Sequence, residues 1–110
     1  MTDKNDVLHH ADDFVAMLQD TPEYAEYARQ KEILNREPDT AQRVDAFRRD
    51  YFMLQHAPEN EDVYEKIEDL ERNNAELLNR PEVHDFMNAE ASFCRLMQEV
   101  IDKVMEKIDF

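Results

Sequence analysis

The chain has 110 residues, 27 acidic against 13 basic side chains and a formal net charge of −14. That balance repels a phosphate backbone, so direct nucleic-acid binding is not expected. Glycine and tryptophan are absent, which excludes Gly-rich phosphate loops and the tight turns of hairpin-built sheets and leaves an all-α fold in one domain, residues 1–110.

The amino terminus, MTDKNDVLHHADD, has no apolar h-region, and no window of the chain approaches the ~20 apolar residues of a membrane span. A cytoplasmic protein with no membrane partner is expected. All four prolines precede an acid: Pro22-Glu23, Pro38-Asp39, Pro58-Glu59 and Pro81-Glu82. Proline suits the first position of a helix, where its missing N–H costs nothing, and a carboxylate in the first turn meets the positive end of the helix dipole. The prolines therefore predict about five helices, near residues 5–20, 22–35, 39–56, 60–79 and 81–108. Thr21 is suited to cap the second helix, Asp39 with Gln42 to form a capping box on the third, and Asn60 to cap the fourth. Arg80 caps poorly, so a kink at Pro81 could join the last two helices.

Apolar residues follow a bundle period within these segments. The first helix offers Val7, Ala11, Phe14 and Leu18; the third, Val44, Phe47, Tyr51 and Leu54; the fourth, Val63, Ile67, Leu70 and Leu77, interrupted at Asn74. In the last helix Phe86, Glu90, Phe93, Met97, Val100 and Val104 alternate in steps of four and three, and a second stripe runs through Met87, Cys94, Ile101, Met105 and Ile108. An arc this broad exceeds what one neighbouring helix covers. A helix from 81 to 108 would also be about 40 Å long, against a radius of gyration near 13 Å for a globule of this size. The expectation is an antiparallel helical bundle with a long C-terminal helix, assembled as a homodimer or higher homo-oligomer through Phe86, Glu90, Phe93, Met97, Val100, Ile101 and Val104.

Three groups invite a chemical reading. Cys94 is the single cysteine; in mid-helix on an apolar stripe it lacks the electropositive setting of a reactive thiol and is expected to pack in the core. His9 and Asp13 lie four apart beside His10 and Asp12, but no second spaced pair completes a metal site, and His56 and His84 follow Met53 and Pro81 at the position where di-iron bundles place a glutamate. Glu90, among Phe86, Phe93 and Met97, could be an acid of raised pKa, yet no nucleophile or phosphate loop accompanies it, and a register-setting role is favoured. No catalytic residue, cofactor or metal is assigned. The alternatives are a carboxylate- or His-dependent enzyme or metal bundle using Glu90 and His9–Asp13, and an RNA-associated factor using residues 29–49, where six basic and four acidic residues give a local balance of +2.

The order of PEYAEYARQKEIL, PDTAQRVDAFRRDYFMLQ, a charged fourth helix and LLNRPEVHDFMNAEASFCRLMQEVIDKV resembles the YlbF/YmcA/YheA group of small bacterial helical proteins. Asn79, Pro81, Val83, Phe86, Ala89, Glu90, Leu96 and Ile101 fall where that group carries an N-x-P-x-V-x-x-[FY]-x-x-AE helix. The resemblance implies an oligomeric, non-enzymatic cytoplasmic regulator that works with another protein. Members are similar to regulators of competence, sporulation and biofilm development that influence an endoribonuclease and messenger RNA processing. Some are associated with iron–sulfur clusters and a cysteine-rich tail; this sequence offers only Cys94, so no cluster is expected.

Overall fold

A computed structural model describes residues 1–58 and 62–109. They form six helices: α1 (Lys4–Gln19), α2 (Pro22–Asn35), α3 (Pro38–Gln55), α4 (Val63–Asn73), α5 (Ala75–Leu78) and α6 (Pro81–Ile108), with no strand among the described residues.

Local chemistry explains most of the boundaries. Asp3 starts α1 by accepting the Asp6 amide at 2.9 Å. Thr21 Oγ1 accepts the Tyr24 amide at 3.1 Å while donating to the Leu18 carbonyl at 2.6 Å, so one hydroxyl ends α1 and caps α2. Pro22, Pro38 and Pro81 each open a helix. Pro58 does not: α4 begins at Val63. The proposed Asn60 cap lies outside the described residues.

Two further expectations are corrected, and at the last junction the separate helices hold over the alternative of a kink. On α3 the proline itself takes the first position and Glu37 precedes it without a side-chain capping bond, so Asp39 lies inside the helix and makes no capping box with Gln42. The fourth helix is two, because Asn74 turns its side-chain Nδ2 back to donate to the Leu70 carbonyl at 2.8 Å, competing with the backbone ladder and separating α4 from α5. Between α5 and α6 there is a turn at Asn79 and Arg80 rather than a kinked continuous helix; the Arg80 amide donates to Leu77 O, and its carbonyl accepts from His84.

The chain divides into two compact units. Residues 30–88 hold the better-buried core. There α3 packs against α4 and α5, and Leu34, Val44, Phe47, Leu77, Val83 and Phe86 are buried. The Arg48 guanidinium lies 5.4 Å from the centre of the Phe86 ring, a cation over an aromatic face.

The second unit comprises residues 1–29 and 89–110. Its order comes from aromatic packing: the Phe93 ring lies 5.8 Å from Tyr27 with planes 15° apart, and 5.4 Å from Tyr24 in an edge-on arrangement. Leu18 and Ala89 are its buried apolar residues.

Candidate functional site

At about 100° per residue, Val7, Leu8, Ala11, Phe14, Val15 and Leu18 form one apolar band along α1. Only Leu18 is buried; every other residue of α1 is exposed. The sequence pattern read Val7, Ala11, Phe14 and Leu18 as a bundle stripe, and the structure leaves all but Leu18 open to solvent. On α6, Ile101, Val104, Met105 and Ile108 follow the i, i+3, i+4, i+7 rule of an amphipathic face, yet every described residue from 101 onward is exposed. The eight larger side chains of these two faces are 40% to 58% exposed. Both helices thus run from a buried end to a bare end, and both bare ends belong to the same unit.

The residues expected at an interface fall into three groups along α6. Phe86, 2% exposed, belongs to the core of its own chain. Glu90, Phe93, Met97 and Val100 are half-buried; Phe93 is held between the tyrosines, and the Glu90 Oε2 is enclosed. Ile101 and Val104 stand in the open. The periodicity was continuous from Phe86 to Val104, with Ile101 on the second stripe, but the covering of both stops part-way.

Cys94 is exposed, against the expectation of a packed core thiol. It sits on the continuation of the Ile101 face, seven residues or two turns before it, where no helix among the described residues closes over it. The apolar pattern was read correctly, and the inference that something in the same chain must cover it was not.

The histidine–aspartate group also lies on bare α1. His9 and His10 meet edge-on at 6.3 Å, and His10 Nδ1 is 2.9 Å from the Asp6 carbonyl. Among the described residues no group of three or more His, Cys, Asp or Glu is placed to hold a metal ion.

In residues 29–49 three of the six basic side chains meet acids one turn away: Arg29 with Glu26 at 2.8 Å, Arg36 with Glu32 at 3.9 Å and Arg48 with Asp45 at 3.5 Å. These i, i+3 and i, i+4 pairs reduce the charge the segment shows to a polyanion.

A polar clasp that sequence reasoning missed lies at the start of α6. Arg80 Nη1 donates to Thr40 Oγ1 at 3.0 Å and Nη2 donates to Glu76 Oε1 at 2.8 Å. The hydrogen bond and charge of Arg80, with a smaller contribution from Arg43, hold the Glu76 carboxyl below its usual range, and the same bond raises the Arg80 guanidinium. Its signal was the pairing of Glu76 with Arg80 four residues on; Thr40 could not be anticipated from spacing.

A family profile described as control of competence regulator ComK, YlbF/YmcA, matches residues 7–109. The chain belongs to the YlbF/YmcA family. No curated protein and no solved structure matches it. The YlbF/YmcA profile spans both units, including bare α1 from Val7 and the exposed end of α6. Its description makes the role regulatory. No helix among the described residues is long and apolar enough to cross a membrane.

Proposed function

We propose that this chain is a non-enzymatic regulatory or scaffolding protein of the cytoplasm that acts through helix-mediated contacts with other proteins and with itself, in the manner of YlbF/YmcA-type regulators of development and messenger RNA processing. The observation that carries this reading is the pair of bare apolar faces on α1 and α6. Apolar surface left in water on two helices of one unit is the feature expected of a protein that binds by helix packing. The paired arginines of residues 29–49 support placing direct RNA binding second.

The test is genetic and biochemical together. Deleting the gene should change the abundance of a set of transcripts. The wild-type chain should restore it and capture a protein partner; Ile101→Glu, which places a charge on the open face without touching the core, should do neither. Full restoration by Ile101→Glu, with the variant produced at wild-type level, would remove the open face from the function.

A further inference from the structure

We infer that the outer face of α3 at its carboxyl-terminal end, centred on Phe52 and Met53, is a docking surface for a basic amphipathic helix of another protein. The inference rests on the reading of the chain as a protein-binding regulator and adds a surface apart from α1 and α6.

At about 100° per residue, Arg49, Phe52, Met53 and His56 follow the i, i+3, i+4, i+7 rule along one side of α3. Thr40, Val44 and Phe47 are the buried residues of that helix. They lie on the opposite side, so α3 cannot turn Phe52 and Met53 inward without carrying its own core residues into water. Phe52 is 59% exposed and Met53 64%. The face is also preformed: the Phe52 and His56 rings stack with centres 4.1 Å apart, and His56 Nδ1 lies 2.9 Å from the Phe52 carbonyl. An aromatic plate already ordered in the free chain loses little conformational freedom when it is covered. Tyr64, 80% exposed, stands in the first turn of α4, the helix that packs on α3.

Charge and area select the occupant. Arg49 closes the amino-terminal edge of the face, and beyond it, from Asp50 to Arg72, the sequence has eight acids and two bases. Asp50, three residues before Met53, and Glu65, beside Tyr64, are both exposed. The last turn of α3 carries no basic side chain, so the negative end of its dipole adds to that field. A helix with lysine or arginine bordering an apolar stripe answers both the charge and the apolar surface, whereas the same acids repel an RNA strand. A second copy does not suit this face. A two-fold pair would set the acids of one chain against those of the other, and seating the basic residues 29–49 of a copy here is a head-to-tail contact that does not close. Phe52, Met53 and Tyr64 present on the order of 400 Å² of exposed surface, about half of what each partner gives to a standard interface. That area fits a reversible encounter with one helix rather than a permanent assembly.

The experiment titrates a synthetic helical peptide, leucine on one face and lysine on the other, into the full-length, isotope-labelled chain. Backbone amide shifts should change at Arg49 to Ala57 and around Tyr64. A full-length variant carrying Phe52→Gln and Met53→Gln, both on the exposed face, should keep its helix content by circular dichroism and bind the peptide about tenfold more weakly than wild type or worse. The same peptide with glutamate in place of lysine, and a single-stranded RNA oligonucleotide, should bind more weakly than the lysine peptide. Shift changes confined to α1 and α6 overturn the inference, as does a double variant that binds like wild type, or tighter binding by the glutamate peptide or the oligonucleotide. If the double variant does not fold, the shift map of the wild-type chain decides alone. Each overturning result leaves the regulatory reading standing, because that reading is tested through transcripts and Ile101→Glu, so the two failures are distinguishable.

Discussion

Arg80 reaches across forty residues of sequence to donate to the hydroxyl of Thr40 at 3.0 Å, tying the turn before α6 to the first turn of α3. Thr40 is buried, and its hydroxyl gives the guanidinium a fixed direction while Glu76 holds the other nitrogen. Thr40→Val, which keeps the shape and deletes the acceptor, should lower the melting temperature by about 4 °C. Thermal unfolding followed by circular dichroism measures it; an unchanged transition would mean that water replaces the hydroxyl without loss.

The same clasp predicts an acid dependence. Because Arg80 holds the folded Glu76 carboxyl below its ordinary value, the contribution of Glu76 is present at neutral pH and is lost as the pH falls through the depressed folded pKa. The side chain is exposed, so the effect is small. Stability of wild type and Glu76→Gln, compared between neutral and acid pH, should differ most at neutrality and converge on acidification. A gap that widens toward acid would reverse the sign.

In the core of residues 30–88, Leu77 is fully buried. Leu77→Ala removes its methyl groups and leaves a cavity that helices on several sides cannot all close, and should cost about 3 kcal/mol. Denaturant unfolding with an unchanged slope would report it directly.

Phe93, half-buried between Tyr24 and Tyr27, should show a spectroscopic as well as an energetic effect. The chain has four tyrosines and no tryptophan, so its near-ultraviolet circular dichroism is dominated by tyrosine. Phe93→Ala should weaken that signal and cost about 2 kcal/mol, while helix content is retained. A near-ultraviolet spectrum identical to wild type would show that the tyrosines are ordered by something else.

What could be read from the sequence, and what could not, divides along physical lines. Pro22 and Pro81 mark helix starts because a missing N–H costs nothing there, and the predicted limits of the second and last helices, 22–35 and 81–108, agree with α2 and α6. Asn74 was visible as an interruption of an apolar stripe, but whether its amide would turn back onto Leu70 depends on a rotamer that spacing does not encode. Pro58 carried the same signature as the other prolines but lies outside any helix, and α4 begins at Val63. The larger miss concerns covering. Periodicity identifies the apolar side of α1 and α6 but says nothing about which element packs on it, so Val7, Phe14 and Cys94 were read as interior while the folded chain leaves them exposed.

Cys94 now serves as a reporter. Being exposed, it should react with a thiol reagent at the rate of an open cysteine in dilute protein, and Cys94→Ala should change stability by less than about 0.5 kcal/mol. Because it lies on the stripe that continues to Ile101, its reaction should slow as protein concentration rises. A rate independent of concentration would confine the contact to the far end of α6.

Sedimentation equilibrium of the unaltered chain tests the central claim most directly, since a protein that works by packing bare helix faces should associate without help. The account predicts a mass of twice the 13.2 kDa of one chain at micromolar concentration, falling to the single-chain mass for Ile101→Glu with helix content unchanged. A wild-type chain that stays at 13.2 kDa into the high micromolar range, with its α1 and α6 faces still in water, would contradict it.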